Sequence, residues 1–330
     1  MENKLTIAIP TYNRKDDLIN LLKSIEALDY SVLYEIIISD NNSPYDIYEI
    51  LKGEVCRSLF NKCRIIKNHV NIGGPGNIKN QLLYCKSKWL WMIGDDDVVL
   101  PNSLDIIIND INTDPNCAFF RYSISIKGKD EEEDIDVIEE NTTMYSLYDF
   151  IHYYENPNRH KGNMVFMSNN IYNMEKLSPY LSYAFTYNTS ITQLIPSFIG
   201  LDKKEIYIRY RNKKIVQFNG QDTGTSWSYI RVFCAMSTVK QIPFESLDRK
   251  GIEQLMRVLI FIPLHGFMIW CLVNKDKIKR IDMIEYVYKN LYSYKFSLIE
   301  YIFYLLSLIE LKWGIKLIPR RIIKNRIHML

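Results

Sequence analysis

Three short, β-rich apolar runs in the first hundred residues, each closing on a turn signal, set the narrowest limits on how this chain can fold. They are residues 5–9, 34–39 and 89–93, closed by Pro10, by Asn41-Asn42-Ser43-Pro44 and by Gly94. Strands buried on both faces read as continuous apolar runs, whereas half-exposed strands alternate. Between the first two, residues 16–28 place Leu18, Leu21, Leu22 and Ile25 at helical spacing. Before the third come residues 47–60, a short strand over 63–67 and a helix over 75–87. The alternation predicts an α/β fold with a mostly parallel twisted sheet flanked by helices.

Beyond Pro101 the pattern loosens, with a helix expected over 104–111 and a strand over 118–126. Residues 129–140 form an acidic run and read as a solvated loop; residues 156–162 read as a polar loop. A strand is expected over 164–169, a hairpin from 206–210 and 215–218 across 211–214, and a turn-rich loop over 219–226. From Tyr229 onward the chain reads as helical. Its most apolar stretch, 256–273, carries Arg257, Pro263, His265 and Gly266 and is shorter than the ~20 clean apolar residues of a spanning helix, so a buried helix pair is expected. The tail, 301–330, mixes apolar residues with Lys312, Lys316, Arg320, Arg321, Lys324 and Arg326, a composition suited to a membrane surface.

Bulk properties exclude several classes. A chain of 330 residues at 47% hydrophobic and 13% aromatic is not disordered. A net charge of only +3 gives no sign of a nucleic-acid partner. The six cysteines are scattered with no CxxC pair, which points to free thiols in a reducing cytoplasm rather than to zinc or redox chemistry. The N-terminus lacks a long apolar segment and reads as a first strand rather than a secretory signal.

In open α/β sheets, ligands bind beyond the carboxyl ends of the strands. That rule puts Thr11–Arg14 (11–14), 40–43 and 95–97 along one rim. Three adjacent acids, Asp95-Asp96-Asp97, repel one another unless cations or donors sit among them. Mg²⁺ and Mn²⁺ take oxygen ligands and bridge carboxylates to substrate phosphates. On an extended chain Asp95 and Asp97 would share a side, with Asp96 opposite unless the chain turns.

In order and spacing, Ile9-Pro10-Thr11-Tyr12-Asn13-Arg14, Ser39-Asp40-Asn41-Asn42-Ser43, Asn71-Ile72-Gly73-Gly74-Pro75-Gly76-Asn77 and Gly94-Asp95-Asp96-Asp97 resemble the family-2 glycosyltransferases of the GT-A fold. The likeness is best over residues 4–125 and closest in feel to the bacterial, abequosyltransferase-like enzymes of O-antigen, lipooligosaccharide and capsule synthesis. It implies an inverting transfer from a nucleotide sugar, by default a UDP-sugar, to a saccharide or lipid-linked saccharide, with Mn²⁺ or Mg²⁺. Pro10, Thr11 and Tyr12 would then line the nucleobase pocket, with Arg14 near base or phosphates. Asp40, with Asn42 beside it, would accept from base or ribose, and Asn77 would lie near the base. Asp95 or Asp96 would hold the ribose, and Asp97, with Asp95, the metal.

The resemblance thins at the acceptor. Between Met164 and Gly200 the only acid is Glu175, and the Glu-Asp pair usual in the family is missing. Asp222 is the first candidate for the catalytic base, followed by Glu175, His152 and His160; Trp227 and Tyr229 could stack on an acceptor sugar or belong to the core. The expected organisation is a catalytic domain over 1–228, split at 125/126 into nucleotide-binding and acceptor halves, and a helical region over 229–330 that touches the inner face of the membrane. The competing readings are a sugar nucleotidyltransferase and a non-catalytic binder of the same fold.

Overall fold

The computed structural model describes residues 5–126, 138–155, 166–187, 189–218 and 235–261, with positions 305, 306 and 309. Strand β1 (Leu5–Thr11) lies between β2 (Leu33–Asp40) and β4 (Trp89–Met92), and β3 (Cys63–Lys67) is outside β2; all four run parallel. The helices between them are α1 (Lys15–Glu26), α2 (Ile47–Glu54), α3 (Arg57–Phe60) and α4 (Gly74–Tyr84). Side chains alternate across the sheet. Leu5, Ile7 and Ile9 share one core with Leu18, Leu21, Leu22 and Ile25 of α1, while Ala8 faces a second core that holds Leu82 of α4. Burial on both faces is why these strands carry no polar alternation.

Past β4 the chain passes through β5 (Val98–Val99), α5 (Ser103–Thr113), β6 (Phe119–Ile126), β7 (Thr142–Met144) and α6 (Leu147–Glu155). Then come β8 (Asn170–Asn173), α7 (Met174–Leu177), α8 (Leu181–Thr186), α9 (Ile195–Asp202) and β9 (Ile208–Phe218). Among the described residues the sheet has nine strands in the order β3-β2-β1-β4-β8-β6-β9-β5, with β7 also on β9. The antiparallel β8 therefore joins the parallel half to the rest.

Two sequence expectations fail here. Of the strand expected over 164–169, the described residues 166–169 instead lead through a turn into β8, with Asn170 N donating to Met167 O at 3.1 Å. The Asn169 and Asn170 amides donate to Tyr122 O (2.6 Å) and Phe166 O (2.9 Å), a side-chain alternative to ladder pairing. Nor do 206–218 form a hairpin: β9 is one continuous strand, parallel to β6, with register shifts where Arg211 and Lys214 face Tyr122 and Ser123. The polar residues 211–214 make a bulge because Arg211 reaches across to Asp110 of α5 through two hydrogen bonds of 3.0 and 2.8 Å. The Tyr122 hydroxyl donates to the same carboxylate at 3.0 Å.

The second core continues into the region after β9. Met236, Val239, Ile242, Leu255 and Met256 pack with Leu147, Phe150 and Phe198, and Asp202 accepts from the backbone N–H groups of Glu245 (2.7 Å) and Ser246 (2.9 Å). Helix α10 (Arg249–Met256) belongs to this segment. No helix among the described residues is long and apolar enough to cross a membrane. Residues 262–273, nearly all of the tail over 301–330, most of the acidic run and the loops over 156–162 and 219–226 lie outside the described residues.

Removing Asp110 leaves Arg211 and Tyr122 without their shared acceptor inside the fold. Asp110→Ala should lower unfolding free energy by about 3 kcal/mol, read from the urea midpoint, as expected for breaking a buried ion pair on one side.

Candidate active site

The rim expected from the sequence is present, and its strands deliver their turns side by side. The β1–β2 ladder continues past the strand ends, with Asn41 N donating to Thr11 O at 2.9 Å. Asn13 (φ 55°) and Asn42 (φ 71°) take the left-handed conformation that asparagine tolerates. Asn13 N then donates to Ser43 Oγ at 2.9 Å, tying one turn to the other.

After β4 the chain turns at once, with Asp97 N donating to Gly94 O at 3.2 Å. The alternation expected of an extended segment therefore does not apply. Asp95 and Asp96 both reach Arg14, whose Nη1 lies 3.1 Å from Asp95 Oδ1 and 2.8 Å from Asp96 Oδ2. Asp97 goes elsewhere: its Oδ2 accepts from Ser168 Oγ at 2.5 Å, and Ser168 Oγ accepts from Gly94 N at 2.8 Å. Asp97 Oδ1 is buried and makes no hydrogen bond with the described residues. A Cβ on Gly94 would stand 3.0 Å from Asp96 Oδ1 and 3.1 Å from Asp97 Oδ2, which accounts for glycine at the pivot.

Burial pushes the Asp95 carboxyl up to about 6, against the pull of the Thr11 hydroxyl and the Arg14 charge. Burial, then the Asp96 charge, raises Asp97 well above the ordinary carboxylate range, with the Ser168 hydrogen bond opposing. Burial works against the Arg14 charge, but Asp95 and Asp96 outweigh it and hold the guanidinium protonated.

Asp40 is fully buried. Its Oδ1 accepts from Ser43 N at 2.8 Å; Oδ2 lies 3.7 Å from Lys67 Nζ and makes no hydrogen bond. Asn77 is already occupied: Oδ1 accepts from Ser39 Oγ (2.6 Å) and Asn68 Nδ2 (3.2 Å), and Nδ2 donates to Ser39 O (2.9 Å). It fastens α4 to β2, so its acceptor is spent inside the protein. Asn41, which the sequence reading passed over, does similar work. Its Oδ1 accepts from Ile72 N (2.9 Å) and Asn68 Nδ2 (3.1 Å), and its Nδ2 donates to Asn71 Oδ1 (2.8 Å). Next to this network Thr11 is buried, Pro10 half-buried, Asn42 exposed and Tyr12 47% exposed, leaving the tyrosine ring available at the mouth of the rim.

The acceptor-side candidates are not gathered here. Glu175 follows β8 at the amino end of β4, where Asn173 pairs with Trp89, and its exposed carboxylate meets Lys88 Nζ at 3.0 Å. That is the end of the sheet away from the carboxylate rim. His152 is an exposed residue of α6, 3.5 Å from Glu155. Asp222, His160, Trp227 and Tyr229 lie outside the described residues.

The rim's donor set fits a divalent cation of the Mg²⁺ or Mn²⁺ kind. Among the described residues no group of three or more His, Cys, Asp and Glu side chains forms a cage. These ions do not need one, since they take one or two carboxylates and complete their shell with phosphate oxygens and water. Asp97 Oδ1, buried without a partner, is the oxygen available for this.

The chain belongs to glycosyl transferase family 2, whose model matches residues 6–174 of its 330. Abequosyltransferase RfbV of Salmonella typhimurium is 34% identical over 105 residues, 31% of this chain and 31% of that one. GalNAc(5)-diNAcBac-PP-undecaprenol beta-1,3-glucosyltransferase of Campylobacter jejuni is 30% identical over 110 residues, 33% of this chain and 35% of that one. The matched stretch thus spans about a third of these relatives' lengths. S. aureus TarS in complex with UDP-GlcNAc has the same fold, with a TM-score of 0.58 at 13% identity over 86% of this chain and 80% of that one. So does mannosyltransferase PcManGT from Pyrobaculum calidifontis in complex with GDP-Man and Mn²⁺, at 0.52 and 9% identity over 95% and 88%. Together these make the sheet a GT-A fold.

An acid whose folded pKa is raised stabilises the native state least when ionised. The Asp97 penalty is absent below its ordinary value of 3.8 and grows as pH rises towards the elevated folded pKa. Asp97→Asn should therefore raise the metal-free melting temperature at pH 7.5, and raise it less at pH 5, in calorimetric scans with EDTA.

Proposed function

We propose that this chain transfers a sugar from a nucleotide-sugar donor, by default a UDP-sugar, to a growing cell-surface glycan or lipid-linked saccharide, with inversion and with Mn²⁺ or Mg²⁺ at Asp97. The observation that carries the metal is the open Asp97 Oδ1, buried at a strand's carboxyl end beside two carboxylates already neutralised in part by Arg14. A bound divalent cation would favour the ionised form of all three aspartates, whose charge together with the Arg14 guanidinium would then be −2, matched by the cation.

Each residue's work follows from its surroundings. Asp40 Oδ2, buried beside Lys67, accepts from the nucleobase or ribose, and the exposed face of Tyr12 covers the base with Pro10 and Thr11. Asp95 or Asp96 holds a ribose hydroxyl with its second oxygen while Arg14 fixes the first. Asp97 holds the cation, which when bound withdraws charge from the diphosphate and eases its departure. The acceptor hydroxyl attacks the anomeric carbon from the opposite side, and a general base takes its proton. Asp222 is the base of this proposal. Glu175 is not carried forward, because it stands away from the rim and on Lys88.

Two similar proteins support the choice of ligands: TarS is described in complex with UDP-GlcNAc, and PcManGT with GDP-Man and Mn²⁺. The Campylobacter jejuni relative, named as acting on an undecaprenol-PP-linked glycan, supports a lipid-linked acceptor. A helical region over 229–330 with a basic tail would then hold the enzyme against the inner face of the membrane, beside such an acceptor, and the catalytic domain would span 1–228 with its donor half ending at 125.

Thermal shift with UDP, GDP and dTDP, each with and without Mn²⁺, tests the donor site, because ligand binding to the native state raises the melting temperature. A nucleoside diphosphate should stabilise the protein, more with Mn²⁺, and Asp97→Asn should remove the Mn²⁺-dependent part. An unchanged Mn²⁺ response in that variant defeats the metal assignment.

A further inference from the structure

We infer that Ser168 is a positioning residue that makes Asp97 a one-oxygen metal ligand: its hydroxyl occupies Asp97 Oδ2 and leaves Oδ1 to meet the cation. This rests on the reading above that Asp97 holds the divalent ion.

The geometry fixes the direction of the hydrogen bond. A serine hydroxyl has one proton. Gly94 N donates into Ser168 Oγ at 2.8 Å, and an ionised Asp97, the form that binds a cation, can only accept, so the hydroxyl proton points to its Oδ2, 2.5 Å away. A carboxylate with one oxygen engaged in this way is biased against bidentate chelation. The engaged oxygen is also held, so the other keeps its position before any ion arrives. Ligand-orienting partners of this kind matter to a metal site nearly as much as the ligands themselves.

Ser168 is itself rigidly held. It is 1% exposed. Its carbonyl accepts from the Trp91 indole N–H at 2.6 Å, which anchors it to β4. The next residue is anchored to β6 in both directions: Tyr122 N donates to Asn169 O at 2.9 Å, and Asn169 Nδ2 to Tyr122 O at 2.6 Å. The hydroxyl is thus placed by two strands and the turn before β8. It belongs to the part of the chain beyond residue 125, past the motifs of the rim but within the residues 6–174 that the family model matches. The metal site would then be assembled from both halves of the chain, with its ligand in one and the group that orients it in the other.

The test counts free Mn²⁺ by electron paramagnetic resonance during titration of full-length protein, alone and with saturating UDP. Ser168→Ala should weaken Mn²⁺ binding about 10-fold, with UDP affinity in EDTA unchanged. Ser168→Thr, which keeps the hydroxyl, should stay near wild type. Ser168→Cys, a weaker donor of similar size, should fall between, and it decides the matter if the alanine variant does not fold. Asp97→Asn is run in parallel. If Asp97→Asn binds Mn²⁺ like wild type, the metal reading itself has failed. If Asp97→Asn loses Mn²⁺ while Ser168→Ala, or in its place Ser168→Cys, binds it like wild type, only the role of Ser168 is overturned. Equal losses of Mn²⁺ and metal-free UDP affinity in Ser168→Ala also overturn it, because that pattern marks a structural defect.

Discussion

The contact between Arg14 and the pair Asp95–Asp96 organises the rest of the site. It joins the turn after β1 to the turn after β4 across neighbouring parallel strands. Attraction between the half-buried Arg14 and Asp96 and the buried Asp95 is largely offset by the loss of their hydration, so its weight lies in geometry more than in stability. With Asp95 and Asp96 drawn to Arg14, the turn at Gly94 sends Asp97 the other way, to Ser168. Three consecutive acids are thereby given two separate tasks, and the repulsion among them is reduced from within the protein.

Around this contact, the rim is a set of turns fastened by side chains. Asn41, Asn68, Asn71 and Asn77 tie the loop before α4 to the end of β2, and Ser43 ties the first two turns together. Such networks hold a binding surface in place before a ligand arrives. The buried atoms left without a hydrogen bond include the Thr11 hydroxyl on β1 and two carboxylate acceptors, Asp40 Oδ2 and Asp97 Oδ1, one on each side of it. A ligand bearing a hydrogen-bond donor at one end and a cation-bridged diphosphate at the other suits that arrangement.

Much of the parallel half was legible in the sequence, because double-sided burial leaves a plain apolar signature. β3 begins and ends where expected, and β1, β2 and β4 differ only at their ends. Legibility fails where polar side chains replace ladder pairing. Arg211–Lys214 looked like a turn because four polar residues interrupt a strand; the partner that makes them a bulge, Asp110, lies far away in sequence. The apolar run before Asn169 looked like a strand, yet the asparagine amides convert its end into a turn. The same limit applies within the site. The carboxylates, Asp40 and Arg14 stand in a readable order, whereas Ser168 carries no local signal and acquires its place through contacts 71 and 74 residues apart. Asn77 was legible as part of the rim, but its partners, Ser39 of β2 and Asn68 after β3, were not.

The division of labour among the three aspartates is the central claim, and anomalous diffraction tests it most directly. Crystals grown with UDP and Mn²⁺ should show one anomalous peak within about 2.5 Å of Asp97 Oδ1, with Asp95 and Asp96 still bound to Arg14 and Ser168 still on Asp97 Oδ2. A peak lying between Asp95 and Asp96, with Arg14 displaced and Asp97 unligated, would contradict the account.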